Sequence, residues 1–417
     1  MTDFITGWFA LLTAGALLLL FSGYAVLAYK LWATQAQTGS TLAISVLKPL
    51  KGADEGLLEN LRAIARQDYP EFEVILGAED AADPALDVAR RIQAEFPQLR
   101  IVIVVGAFPS GLNPKVRLLR QLLPRARYPW VLISDSNVRP DPQYLRAMAA
   151  QQGRDQAMLV HSLLMGSRGT SMGGRLEELQ LNGWVAATIA LSDALGHSCV
   201  IGKSMLIHRG SLAQVGGLEK VADVLAEDYT LGALFQDSDL RVSLSPHLLQ
   251  VITGSASTRQ FLNRHMRWAQ MRRHIAPWVY ALELMGYPCL FLAALWLIEA
   301  MSLSASELAT QGVWSLDGLG HLALALGGSW VPWVLLLKWT GDAVVYIALA
   351  ARPSLRTLLL LPVKDALMPV IWVVGGLRRT VNWRGQRLWV SAGSRLSVLP
   401  QRQPEGREDN RWATPVI

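Results

Sequence analysis

The chain has only two cysteines, Cys199 and Cys289, in 417 residues. Cys289 lies in an apolar run, so the pair does not read as a disulfide framework, and nothing demands an oxidising compartment. Charge is sparse as well: 17% of residues are charged, whereas 51% are hydrophobic, and mean hydropathy is +0.26. That balance is too apolar for an ordinary soluble enzyme and too charged for a pure membrane bundle, so a mixed protein is expected. There is no internal repeat and no low-complexity tract. No Lys or Arg precedes the first apolar run, whereas a secretory signal peptide would open on a basic region.

That first run, residues 8–29 (WFALLTAGALLLLFSGYAVLAY), carries no charge. It is long enough to cross a bilayer and reads as a retained anchor. Lys30 follows it and Asp3 precedes it, which places the next domain in the cytoplasm by the positive-inside rule. The net charge of +6, beside membrane segments, reads as loops held at an anionic membrane surface rather than as a nucleic-acid interface. The expected setting is therefore an integral protein of a bacterial inner membrane, with no nucleic-acid partner.

Residues 43–270 read as soluble. Short apolar runs (ISVL, EVILG, IVIVV, WVLIS, AMLVHSL) alternate with amphipathic stretches such as EGLLENLRAIARQ and PALDVARRIQAEF. This alternation predicts an α/β domain with a mostly parallel sheet flanked by helices. Beyond residue 277 apolar segments return. Residues 278–298 form one candidate span, 319–351 hold one or two more, and 358–377 is interrupted by Pro362, Lys364 and Asp365. The expectation is two full crossings and one half-inserted helix in this region. The resulting division is a membrane anchor over 1–33, a catalytic domain over 34–275, membrane helices over 276–378 and a basic cytoplasmic tail over 379–417. The last residues of that tail are polar enough to be disordered.

Four clusters carry possible chemistry. In VLISDSNVRP an apolar run ends in Asp135 and Asn137. At a strand's carboxyl end these offer hard oxygens to Mg²⁺ or Mn²⁺, and through the metal to a diphosphate; the other reading is a plain turn. In GAEDAADPALD, Asp80 and Asp83 either touch a nucleotide or, in the case of Asp83, cap the helix that starts at Pro84. In VLAEDYTLG, Glu227 and Asp228 sit between apolar residues, either solvated at a helix start or in a cleft where one serves as a general base. The segment NRHMRWAQMRRH holds Arg264, Arg267 and Trp268. It is either an interfacial amphipathic helix or the site where a diphosphate leaves, for which the guanidinium fork is suited.

The order of these clusters resembles the membrane-bound inverting glycosyltransferases of the GT-A fold, and more closely the ceramide glucosyltransferase family. The similar stretches are Lys48–Gly52, Asp80–Ala85, Asn113–Lys115, Asp135–Asn137, Ala226–Tyr229 and Arg264–Trp268. They fall within residues 44–274, over half of the chain. The resemblance implies a GT-A domain with transmembrane helices. It implies a UDP-sugar donor bound through Lys48, Asp80, Asp83, Asn113, Lys115, Asp135, Arg264, Arg267 and Trp268. A divalent metal would lie on Asp135 and Asn137, and Asp228 would be the base. Cys199 matches a family cysteine near the pocket. The stretch NGWVAAT lacks a histidine that the family carries there. The implied reaction is inverting transfer of a sugar, glucose by default, to a membrane lipid such as ceramide, without a covalent intermediate. Rival readings are a hopanoid or other lipid glycosyltransferase, a processive polysaccharide synthase, and a non-catalytic nucleotide-sugar-binding membrane protein.

Overall fold

A computed structural model describes residues 2–33, 41–106, 110–197, 199–298, 330–383 and 386–399. Four strands, β1 (Ile44–Pro49), β2 (Phe72–Ala78), β3 (Ile101–Val105) and β4 (Trp130–Ser134), coincide with four of the apolar runs. All six residues of β1 are buried, as expected for a parallel strand covered on both faces. Alternate residues serve opposite cores. Ile44 and Val46 pack with helices α2 (Leu57–Ala65) and α3 (Ala85–Glu95), while Leu47 packs with α4 (Pro114–Leu122).

Past β4 the chain adds the short β5 (Val138–Arg139), α5 (Tyr144–Asp155) and β6 (Leu159–Ser167). Helices α6 (Met172–Gln180) and α7 (Ala186–Ala194) follow, joined by a π-helical turn over Leu181–Val185. Next come β7 (Ser204–His208), α8 (Arg209–Gln214), α9 (Glu227–Asp237), β8 (Val242–Ile252) and α10 (Thr258–Ile275). The sheet has eight strands in the order β3-β2-β1-β4-β7-β6-β8-β5. Four of its seven pairings are parallel, and β7 runs antiparallel to both neighbours. The sheet is thus mixed, with its purely parallel part at β3-β2-β1-β4. Because β7 is reversed, its start lies against the end of β4, with Ser134 opposite Ser204. That edge is also where strand order reverses, the ligand-binding edge of open α/β sheets.

Two described helices are long and apolar enough to cross a membrane: α1 over Phe4–Trp32 and the helix Val331–Leu349. The expected span at 278–298 is a bent pair, Pro277–Gly286 and Pro288–Ile298, meeting at 58°, and makes one more candidate crossing if the two halves act as one span. Pro288 supplies the break, since it has no N–H to continue the ladder. Within the interrupted 358–377 segment, Leu361–Leu377 forms one helix with Pro362 in its first turn, where a missing N–H is harmless. Residues 319–329 of the third candidate lie outside the described residues.

The apolar helices enclose a charged box. Lys338 and Asp342 of Val331–Leu349 meet Lys364 and Asp365 of Leu361–Leu377, and Lys338 pairs with Asp365. Tyr24 of α1 donates to Asp342 at 2.5 Å, Trp339 Nε1 donates to Asp365 at 2.8 Å, and Cys289 donates to Asp365 at 3.2 Å. Two cations and two anions cancel, and four helices are tied together. Both cysteines are free thiols.

Residues expected as the beginning of a basic tail fold instead. They form a three-stranded antiparallel sheet of β9 (Thr380–Trp383), β10 (Gln386–Ser391) and β11 (Arg395–Val398). Alternating Val381, Leu388, Val390 and Leu396 bury against Leu225, with Leu112 and Met271 beside them. The arginines between them masked this period-two pattern in the sequence. The final polar residues, from 400 onward, lie outside the described residues.

Replacing Asp365 by Leu leaves two buried ammoniums facing one carboxylate, and should cost about 3–5 kcal/mol. The double change Lys338→Met with Asp365→Leu should cost less, because it removes a neutral pair. Thermal unfolding in detergent reads both; equal losses would mean that charge pairing does not hold these helices.

Candidate active site

At the sheet edge, β4 ends at Ser134, and Asp135–Asn137 form a turn before β5. The turn reading is therefore right, yet the two side chains still converge: Asp135 Oδ2 and Asn137 Oδ1 each lie 3.0 Å from Lys203 Nζ. The other Asp135 oxygen is 3.0 Å from Lys115 Nζ. Lys48, fully buried on β1, donates to the Asp135 carbonyl at 2.7 Å and to Ser134 Oγ at 3.1 Å. Burial raises the Asp135 pKa, but Lys115 and then Lys203 outweigh it and hold the carboxyl well below the usual range. Burial lowers Lys48 to about 7 against the pull of Asp135.

Lys115 links this turn to the second acid pair. Its ammonium lies 3.0 Å from Glu227 Oε1 and donates to the Gly202 carbonyl at 2.8 Å. Asn113 aims it: Asn113 Oδ1 caps α4 by accepting from Lys115 N and Val116 N, and Nδ2 donates to Val224 O and Glu227 Oε2. Every hydrogen-bonding position of that amide except spare lone pairs is taken by protein.

Glu227 and Asp228 open α9, where carboxylates are favoured by the helix dipole. Asp228 Oδ2 accepts from Gly202 N at 2.5 Å, and Oδ1 from Tyr229 N at 2.8 Å. Burial first and Glu227 second push its pKa up to about 6, against Lys115. Position 202 requires glycine, because a Cβ there would lie 2.8 Å from Asp228 Oδ2 and 3.0 Å from Lys115 Nζ. Cys199 is close enough to Asp228 to feel its charge; burial and then Asp228 push the thiol up to about 11.

The remaining expected residues have the following partners. Asp83 accepts from Gly52 N at 2.9 and 3.1 Å and from Ala85 N at 2.9 Å, so it joins the loop after β1 to the start of α3. Asp80 accepts from Ala82 N in an exposed turn. Arg264 pairs with buried Glu177 at 3.1 Å, beside the Glu177–His265 contact of 3.0 Å. Burial raises the Glu177 pKa, but His265 and then Arg264 bring it down to about 2. Arg267 lies over the Trp383 ring at 6.0 Å, and Trp268 meets His265 edge-on. In the stretch without the histidine, Asn182 is bonded to Gly166 and Trp184 stacks on Tyr287.

Three contributors were not singled out from sequence. Gly202 and Lys203 follow Cys199 and sit opposite β4 only because β7 is antiparallel. Ser394 lies beyond the membrane helices, yet its hydroxyl accepts from Ala226 N at 3.0 Å and its carbonyl from Leu225 N at 2.8 Å. Ser394 is fully buried and left-handed, with φ of 59°. It thereby fixes the chain entering Glu227–Asp228.

Asp135 and Asn137 fit a divalent cation in one respect: two hard oxygens already converge on a positive charge. Among the described residues no cluster of three or more His, Cys, Asp or Glu could hold a metal. Further ligands would have to be substrate phosphates and water, the usual arrangement for Mg²⁺.

The model of Glycosyl transferase family 21 matches residues 15–396. Ceramide glucosyltransferase 1 of Caenorhabditis elegans is 26% identical over 365 residues, covering 87% of this chain and 75% of that protein. Ceramide glucosyltransferase of Komagataella phaffii is 27% identical, and the match covers 56% of this chain and 57% of its length. Among solved structures, a mannosyltransferase from Pyrobaculum calidifontis in complex with GDP-Man and Mn²⁺ is 16% identical with a TM-score of 0.46, covering 88% of this chain and 98% of that one.

Ser394→Ala should lose about 1–2 kcal/mol, the cost of a missing helix cap, while keeping a left-handed residue. Ser394→Gly should lose less, since glycine adopts that backbone freely. Both should speed hydrogen exchange at the Ala226 amide. Unchanged exchange in both variants would remove Ser394 from this role.

Proposed function

The chain belongs to glycosyl transferase family 21, and on that premise we propose that it transfers a sugar, glucose first among candidates, from a UDP-sugar to a hydroxyl of ceramide with inversion. The observation that carries this reading is the Lys115 ammonium, 3.0 Å from both Asp135 and Glu227. One cation thus joins the donor-side acid to the pair that contains the base.

Asp228 is the proposed base. Its pKa of about 6 lets it be ionised at neutral pH yet basic enough to take a proton. The acceptor hydroxyl gives its proton to Asp228 as its oxygen bonds to the anomeric carbon. The bond from that carbon to the diphosphate oxygen breaks in the same step, and UDP leaves with the electron pair. An α-linked donor gives a β-linked glycolipid. Lys48, Lys115 and Lys203 surround the donor-side acid with positive charge suited to a diphosphate. A divalent cation on Asp135 and Asn137, when bound, would supply further charge to neutralise the leaving group. Arg267 is proposed at the diphosphate and Trp268 at the acceptor side, while Asn113, Asp83 and Arg264 hold the frame.

A lipid acceptor is supported by the setting of the site. Helix α10 packs on both α6 and the Leu361–Leu377 helix, so the Arg-Trp segment abuts the apolar helices. Trp278, Val279 and Leu282 beside it are exposed apolar side chains, placed to meet lipid tails. The catalytic domain is proposed to face the cytoplasm, with Lys30 at the inner end of α1. Purified protein in liposomes with ceramide and UDP-glucose should yield β-glucosylceramide by mass spectrometry. Product only with hopanoid would move the acceptor class, and no transfer to any lipid would reject the reading.

Turnover should fall as pH drops through about 6, because protonated Asp228 cannot accept. Asp228→Asn should lower turnover about 10²–10⁴-fold with UDP affinity nearly kept. Glu227→Gln removes the repelling charge and should shift the acid limb to lower pH. A limb that stays in place would mean that Asp228 is not the titrating base.

Arg267→Lys loses the planar fork and should reduce kcat about tenfold or more, near 1.4 kcal/mol, with membrane association unchanged. Arg273→Lys, on the same helix, should lose little. Equal, small effects would assign the segment to the membrane surface alone.

A further inference from the structure

We propose that Lys203 is an internal cation that occupies the divalent-metal seat of this site, and that it yields the seat only when metal and nucleotide arrive together. This inference rests on the assignment of Asp135 and Asn137 as the metal-binding pair.

The seat is full as built. Lys203 Nζ lies 3.0 Å from Asp135 Oδ2 and 3.0 Å from Asn137 Oδ1, the two oxygens a hard cation would take. Asp135 Oδ1 is held by Lys115 at 3.0 Å, so each carboxylate oxygen already has an ammonium against it. The backbone of Lys203 is pinned, since its carbonyl accepts from Asp135 N at 3.0 Å. Its side chain is held through those two contacts and is 17% exposed, on a flexible four-carbon stem that can swing once they are released while the backbone stays.

Electrostatics then decide the order of entry. Lys48, Lys115 and Lys203 already surround Asp135. A bare divalent cation would have to expel the Lys203 ammonium and approach that of Lys115, with Lys48 close behind the Asp135 backbone, and would gain only one carboxylate and one amide. A diphosphate brings negative charge that offsets this repulsion and gives the displaced ammonium a new partner. Metal affinity should therefore depend strongly on nucleotide, and by linkage nucleotide affinity on metal. A site of this kind would not hold Mg²⁺ or Mn²⁺ idle between turnovers.

The test is Mn²⁺ binding to the full-length protein in detergent, read by electron paramagnetic resonance of free Mn²⁺ with and without UDP. Wild type should bind Mn²⁺ weakly alone and about 100-fold more tightly with UDP. Lys203→Met removes the competitor and should raise UDP-free Mn²⁺ affinity about tenfold, with a smaller gain from UDP. Lys203→Arg keeps a fixed charge and should stay weak without UDP; it also serves if Lys203→Met fails to fold. Equal UDP-free affinities in wild type and Lys203→Met, or tight UDP-free binding by Lys203→Arg, would overturn the role of Lys203 while leaving the metal assignment intact. No Mn²⁺ binding by any variant with UDP present, together with full transfer in EDTA, would overturn the metal assignment and this proposal with it.

Discussion

One ammonium organises this molecule's chemistry. Lys115 Nζ touches Asp135, Glu227 and the Gly202 carbonyl, and those three groups come from the turn after β4, the start of α9 and the loop before β7. A pair at this distance has a gross attraction of about 5 kcal/mol at an effective dielectric near 20, and desolvating the ions takes back several kcal/mol for each. The cluster is therefore worth little as stabilisation and much as constraint. Losing one partner strands the others, so a single arrangement survives. Asn113 and Gly202 exist within that constraint, the first to aim Lys115, the second to leave room for it.

The same logic recurs between the membrane helices. Lys338, Asp342, Lys364 and Asp365 form a neutral box that Tyr24 joins from α1. Ionisable groups among apolar helices are tolerated only when paired, so the box fixes how these helices meet. Helix α10 then transmits that placement to the site. It binds α6 through Arg264 and His265 to Glu177, and meets β9 through Gln270 and Thr380.

The small C-terminal sheet completes the link. Ser394 and Leu396 bond the chain just before Glu227. A segment that follows the membrane helices thus holds the start of α9. The start of the helix that carries the proposed base is consequently held by a residue 168 positions further along the chain.

By itself the sequence determined the strands β1–β4 and β6, the helices between the first of them, the apolar anchor and the order of the charged motifs. These are local matters of period, run length and capping, which neighbouring residues settle. It also marked Asp135, Asn137 and Asp228, because acids and amides beside apolar runs are conspicuous, whereas Lys115 entered only through the family resemblance. Only the tertiary structure decided what those residues face. Asp83 as a loop clasp, Arg264 as the partner of Glu177, Lys203 in the cation seat and Ser394 at α9 all depend on elements distant in sequence meeting at 3 Å or so. The antiparallel direction of β7 alone carries Lys203 to Asp135. Hydrophobic periodicity specifies which face of a strand is buried, but not which strand lies beside it or which way that neighbour runs.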